Sequence, residues 1–285
     1  MAANHVLAYL AGLEGVALLR AQVERDPQDR EFVEARLDEM ARILASRTEP
    51  PFDTDPPQVI EVSTVDGYSI WADTYDAWNP LIEVEEPAVR RVIDSLPAGD
   101  ALDAATGTGR HASYLAAREH RVIGVDSCPA MLELARAKVP NAEFRLGDLS
   151  RLPMADDSVD AVVCTLALTH QAALEPVFVE FARVLRRGGQ LIISDIHHLS
   201  LYMGGVAQVP LDDGRIGRMP AARFLPSDYL RTALATGYSP LDCREIPWPE
   251  LEGAGGPVAQ QWCPEAARAA YVGFPAVIVW HLRTN

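Results

Sequence analysis

Cysteine is scarce in this 285-residue chain, and Cys128, Cys164, Cys243 and Cys263 form no CxxC pair or other metal-ligand spacing. Neither a structural metal nor a disulfide framework is therefore expected, and the thiols read as reduced groups of a cytoplasmic protein. Basic residues are also few, 25 Lys and Arg against 40 Asp and Glu, for a formal net charge of −15. No Lys/Arg cluster offers a local exception, so phosphate backbones would be repelled and nucleic acid is not an expected partner. The apolar start, Val6 to Leu19, is interrupted by Glu14 and lacks a basic leader, which argues against a signal peptide or membrane span. No Ser-His-Asp or Cys-His constellation stands in recognisable context.

What is present is an ordinary globular composition, 48% hydrophobic and 23% charged, in a chain long enough for a full α/β core with an added arm or cap. Val6, Leu10, Leu13 and Ala17 fall at helical spacing, and Val33, Leu37, Met40 and Leu44 repeat the pattern. These two amphipathic helices are expected to form an arm that packs on its own domain or, as a homodimer, on a second copy. Pro50, Pro51, Pro56 and Pro57 then break helical structure and mark a linker. Beyond it come a strand-like stretch at Val59 to Val65, an aromatic segment running from Tyr68 through Trp71 to Tyr75 and Asp76, and a helix from about Glu86 to Leu96.

From Ala101 strands and helices alternate. Strands are predicted at 101–104, 121–125, 143–146, 159–165 and 190–194, with later ones at about 241–246 and 275–282. The expected fold is α/β and Rossmann-like: a doubly wound, mostly parallel, seven-stranded sheet with an N-terminal helical arm and a lid insertion. Residues 1–95 read as arm and cap, and 96–285 as the catalytic domain with its lid at about 199–237, a stretch of mixed Gly, Pro and aromatic content.

Leu102 to Asp126 places a short strand, a Gly-rich turn, a helix and a second strand ending in an acid within one βαβ-sized unit. Gly107 and Gly109, lacking a Cβ, let the backbone turn sharply and approach a ligand, and Asp126 can accept hydrogen bonds from ribose hydroxyls. Taken alone, Gly107 to Ala112 also fits the GxGxxG/A pattern of nicotinamide-dinucleotide proteins. In an open α/β sheet, ligands bind beyond the carboxyl ends of the strands, and that edge is heavily loaded here. It carries Ala105 to Gly109, Asp126, Gly147-Asp148-Leu149, Leu166 to His170, and Asp195-Ile196-His197-His198.

Several motifs in order resemble class I S-adenosylmethionine (SAM)-dependent methyltransferases of the small-molecule branch. They are LDAATGTG at 102–109, Val125-Asp126, GDLSRLPMADDSVDAVVC at 147–164 and LRRGGQLIISD at 185–195, within a similarity running from about Tyr68 to the C-terminus. The chain departs from the family at Ala105, where Gly is usual, so the backbone there must tolerate a Cβ.

The resemblance implies SAM as cofactor, S-adenosylhomocysteine as product, and a small, natural-product-like metabolite of secondary metabolism as acceptor at O, N or C. Asp103 would orient the methionine ammonium, with Ala105, Thr106, Gly107 and Gly109 forming the cradle for the methionine portion. Asp126 would take the ribose hydroxyls, Met131 would pack against the adenine and Asp148 would accept its amino group, with Ser127, Gly147, Leu149 and Thr165 also among the implied cofactor-binding residues. Tyr75 would lie over the methionine end, or else pack beside Trp71. His170 and His197, each after a strand on the active edge, are candidate bases for the acceptor proton. Two other readings stay open: a nicotinamide-dependent oxidoreductase using the same turn, which leaves Asp103 and Asp148 unexplained, and a non-methylating SAM-binding protein on the same fold.

Overall fold

A computed structural model describes residues 5–24, 29–50, 52–250 and 253–285; Pro51, one of the linker prolines, lies outside them. In chain order the helices are α1 (Val6–Glu24), α2 (Arg30–Ala45), α3 (Thr64–Trp71), α4 (Pro80–Ile93), α5 (Arg110–Ala116) and α6 (Pro129–Lys138). They continue with α7 (Glu175–Val184), α8 (His198–Tyr202), α9 (Pro226–Ala235), α10 (Gly256–Trp262) and α11 (Pro264–Tyr271). The strands of the large sheet are β1 (Asp100–Ala104), β2 (Arg121–Asp126), β3 (Glu143–Leu146), β4 (Val159–Thr165), β5 (Leu185–Ile196), β6 (Tyr238–Pro247) and β7 (Pro275–Thr284).

The described residues fall into two compact units, within Glu61–Val209, Gly217–Ile246 and Pro275–Asn285 for one, and within Met1–Ile60, Pro210–Ile216 and Pro247–Phe274 for the other. Helices α3 and α4, which the sequence suggests as part of the arm and cap, thus group with the sheet.

The sheet unit is built on seven strands in the order β3-β2-β1-β4-β5-β7-β6. The five strands from β3 to β5 are parallel, and β7 runs antiparallel to β5 with Val277 opposite Ile196. Central strand β4 reads VDAVVCT, a nearly continuous apolar run, because helices cover both faces of a parallel sheet. Helix α7 buries Val177, Phe178, Phe181 and Val184, a helical 3-4 spacing, in a core shared with Val162, Leu191 and Tyr238. The reversal of strand order between β1 and β4 leaves a crevice beyond the strands' carboxyl ends.

Strand β5 begins five residues earlier than the apolar run at 190–194 suggests. Leu185 already pairs with Val159, residues 186–189 bulge out with Gly188 at φ +74°, and the ladder resumes with Gln190 opposite Ala161. The 199–237 stretch expected as a lid holds most of α8, two short strands at Gln208–Pro210 and Ile216–Arg218, and α9.

In the helical unit, α1 packs against α2, α10 and α11. Leu10, Leu13, Ala17 and Ala21 form its buried stripe, and Glu14 is buried among them. With a mean hydropathy of 1.4, α1 is also long and apolar enough to cross a membrane by length and composition. Glu14 lies 3.5 Å from the buried Arg36 Nε, whose Nη2 reaches Glu39 at 3.0 Å and Glu265 at 3.1 Å. Helices α10 and α11, which fill the interval between β6 and β7, were not anticipated from the sequence.

Candidate active site

The carboxyl edge of the sheet opens into a cleft of about 640 Å³. Tyr75, Ala105, Gly107, Asp126, Ser127, Met131, Gly147, Asp148, Leu149, Thr165 and His170, all singled out by the sequence, line it. Thr64, Tyr68, Cys128, Leu166, Ala167 and Gln171 line it too. Of these, Tyr68 lies in the aromatic segment, and Leu166 and Ala167 in the edge segment 166–170, that the sequence points to.

The floor is the turn after β1. Ala105 stands at φ +56°, Gly107 at +54° and Gly109 at +83°, so the backbone curls through left-handed conformations. At Gly109 the need for glycine is double, since a Cβ would also sit 3.2 Å from the Ala135 backbone of α6. The curl is held by Thr106 N–H donating to Val125 O at 2.9 Å and by Gly107 N–H donating to Asp126 Oδ2 at 2.8 Å. Asp126 Oδ1 accepts from Cys128 N–H at 2.8 Å, which fixes the carboxylate at the rim of the cleft. Burial raises its carboxyl pKa above the usual range, against these backbone donors.

Asp103, Thr106 and Gly109 do not line the cleft; they build the turn from beneath. Asp103, 2% exposed, accepts from Thr106 Oγ1 at 2.6 Å, and burial raises its pKa. Deeper still, Glu85 of α4 accepts from Arg110 Nη1 at 2.6 Å and from Ser194 Oγ at 2.7 Å, and faces His111 Nε2 at 3.3 Å. Burial alone would raise Glu85, but His111 and Arg110 outweigh it and hold the carboxyl down to about 2. This buried charge cluster ties α4, α5 and β5 together under the turn.

One wall is α3 with the short segment that follows it. Tyr68, Trp71 and Tyr75 form an aromatic cluster with ring centroids 5.4 to 5.9 Å apart. Asp76 fastens the segment down: its Oδ1 accepts from Thr108 Oγ1 and its Oδ2 from Lys138 Nζ, both at 2.6 Å. On the far side, Asp148 Oδ1 accepts from Ser150 N–H and from its hydroxyl, at 2.8 and 2.5 Å. The rim after β4 is strained at Leu166, a non-glycine residue at φ +51° whose N–H donates to Ser194 O at 2.8 Å.

The two histidines proposed as bases separate. His170 lines the cleft, with Nε2 2.9 Å from Tyr68 Oη and Nδ1 2.7 Å from Pro220 O. His197 is 2% exposed and does not line it. Its Nδ1 accepts from Leu199 N–H at 3.3 Å, capping α8, and its Nε2 faces Glu245 at 3.2 Å. Among the described residues no group of three or more His, Cys, Asp or Glu is placed to hold a metal ion.

Residues 102–193, the span that builds the cleft floor and the strands beneath it, match the family model described as a methyltransferase domain. This segment is a methyltransferase domain. Among curated relatives, an arsenite methyltransferase of Halobacterium salinarum is 39% identical over 109 residues, covering 35% of this chain and 28% of that protein. A malonyl-[acyl-carrier protein] O-methyltransferase of Serratia marcescens is 30% identical over 168 residues, covering 59% of this chain and 64% of that protein. The chain thus spans about a quarter and under two thirds of the lengths of these relatives. The solved DhpI–SAH complex superimposes with a TM-score of 0.55 at 22% identity, over 78% of this chain and 95% of that one, and shares the fold.

The residues at the methyltransferase-domain cleft fit the family's cofactor. The curled turn leaves room against the backbone at Gly107, where a Cβ would meet nothing within 4 Å. Asp126 is a fixed carboxylate at the end of β2, and Met131, 2% exposed, offers a polarizable apolar wall.

Proposed function

We propose that this protein transfers the S-methyl group of SAM to a small-molecule acceptor. The observation that carries the reading is the convergence of Gly107 from the turn after β1, Asp126 from the end of β2, Met131 from α6 and Asp148 from the loop after β3 on one cleft of a methyltransferase domain. Bound SAM would supply an electrophilic methyl on a sulfonium; what the protein must add is binding, alignment and exclusion of water. Asp126 would hold the ribose hydroxyls, Met131 and Leu149 the adenine faces, and Asp148 the adenine amino group. Ala105 and Gly107 would lie against the methionine portion, with Tyr75 above it. No Lys or Arg is among the residues lining the cleft, which suits a cofactor with a cationic centre and no phosphate better than a dinucleotide pyrophosphate.

Calorimetric titration of the purified protein with SAM and with NAD(P)H tests this directly. SAM is expected to bind, and Asp126→Ala to weaken it by about 1.5 to 3 kcal/mol through lost charge-assisted hydrogen bonds. Nicotinamide binding without SAM binding would overturn the reading. Release of S-adenosylhomocysteine across a panel of phenols, enols, amines and carboxylates then separates methyl transfer from mere cofactor retention.

A further inference from the structure

A hydrogen-bonded pair, Tyr68 and His170, stands in the lining of the cleft. His170 Nδ1 lies 2.7 Å from the carbonyl oxygen of Pro220. A carbonyl only accepts, so Nδ1 carries the ring hydrogen of the neutral imidazole and Nε2 presents its lone pair. Tyr68 Oη, 2.9 Å from Nε2, therefore donates to it. The sense of both hydrogen bonds follows from one backbone oxygen.

Both rings are half-buried and both line the cleft. Tyr68 is braced by Trp71 and Tyr75 and meets His170 edge to face at 5.5 Å. The backbone that presents Pro220 O is pinned by Ala222 N–H donating to Thr169 O at 2.7 Å and Thr169 Oγ1 donating to Ala222 O at 3.0 Å. Burial lowers the His170 pKa, opposed by the Pro220 bond, so the ring is a neutral proton acceptor. Burial raises the Tyr68 phenol well above the usual range, and Tyr75 and the negative charges of Asp126 and Asp195 on the neighbouring elements act in the same direction. Tyr68 therefore holds its proton until an acceptor replaces it.

We propose that Tyr68 relays the proton of a neutral hydroxyl acceptor, of the phenol or enol class, to His170. The inference rests on the methyltransferase reading above. As the acceptor oxygen forms its bond to the methyl carbon, the carbon–sulfur bond breaks with its electron pair going to sulfur. The acceptor O–H proton passes to Tyr68 Oη, and the Tyr68 proton passes to His170 Nε2. The resulting imidazolium keeps its Nδ1–H bond to Pro220 O and loses the added proton to water when the product leaves. A phenol or enol suits the relay because it carries a weakly acidic O–H like that of tyrosine, and the burial that raises Tyr68 favours passage of the acceptor proton onto its oxygen. A carboxylate has no proton to give and would meet no Lys or Arg among the cleft-lining residues.

The test uses the full chain with ¹⁵N-labelled histidine. Long-range ¹H–¹⁵N NMR of the ligand-free protein should show His170 as the Nδ1–H tautomer with a hydrogen-bonded Nε2. Tyr68→Phe should move the Nε2 resonance toward that of a free lone pair and leave Nδ1 in place. With the fastest phenol of the acceptor panel, Tyr68→Phe should lower kcat by about 10²-fold with SAM affinity unchanged. Tyr68→Phe combined with His170→Gln should cost no more than either alone, because the two act as a unit. The wild-type acid limb of kcat, lost as pH falls through the His170 pKa, should vanish in Tyr68→Phe. An Nε2–H tautomer, wild-type kcat in Tyr68→Phe, faster turnover of carboxylates than phenols, or SAM binding with no phenol turned over would each overturn the relay. Failure of the wild type to bind SAM would instead overturn the methyltransferase reading, while the tautomer still decides the pair.

Discussion

Ala105 is the residue at which local preference and site geometry conflict most plainly. At φ +56° it holds a conformation that costs an L-residue about 1 to 2 kcal/mol and glycine almost nothing. Glycine also enlarges the unfolded ensemble, at a cost of about 0.4 to 1 kcal/mol. The difference makes Ala105→Gly stabilising by at most about 1.6 kcal/mol, to be read as a higher urea midpoint at unchanged m-value. The departure from the family's glycine was visible in the sequence; the equally left-handed Leu166 was not, because leucine carries no signal of such a conformation. His197 shows the same limit. Its place after β5 was legible, but the direction of its ring, turned to cap α8, depends on Glu245 and Leu199.

At the scale of elements, strands and edge loops were legible because continuous apolar runs and Gly/Asp turns mark them. Helix α11 was not, although its buried Ala266, Ala267 and Ala270 keep a helical period, because it is only eight residues long and alanine marks a core face less plainly than larger apolar residues do. The Tyr68–His170 pair escaped for another reason: its members are 102 residues apart in sequence and meet only through the fold. The loop carrying Gly147 to Leu149 is likewise held from a distance, by Arg183 of α7. Arg183 donates to Met154 O at 2.8 Å, Leu152 O at 3.1 Å, Asp156 Oδ1 at 2.7 Å and both oxygens of Glu180. Glu180 Oε2 in turn accepts from Leu152 N–H at 2.8 Å. Arg183→Met, which keeps much of the apolar stem, should cost about 2 kcal/mol of stability by stranding these acceptors. It should also weaken SAM binding although residue 183 lies outside the cleft lining; calorimetry and denaturant unfolding of the same variant check both.

For the molecule as a whole, buried carboxyls of opposite habit set how stability follows pH. Glu85, held to about 2 from an ordinary 4.5, contributes stability that is present above pH 4.5 and lost as pH falls toward 2. Asp195 is the reverse. It is 0% exposed, with Oδ2 accepting from Tyr229 Oη at 2.8 Å and Oδ1 from Ile196 N–H at 2.9 Å. Burial outweighs those donors and pushes its pKa from 3.8 up to about 7. The folded state therefore keeps a proton there that the unfolded chain has released. Its contribution is full below pH 4 and declines through pH 7, by on the order of 4 kcal/mol. Glu14 of the helical unit is raised in the same direction, burial acting first and Glu39 adding to it against Arg36. A chain with a formal net charge of −15 gains further self-repulsion as such groups ionise. Thermal unfolding should accordingly show Tm falling as pH rises from 5 to 8. Asp195→Asn, which cannot ionise, should lie close to or below the wild type at pH 5 and above it at pH 8. Parallel curves for the two proteins across that window would show that Asp195 does not exchange its proton there, and that the slope belongs to Glu14 and the other buried acids.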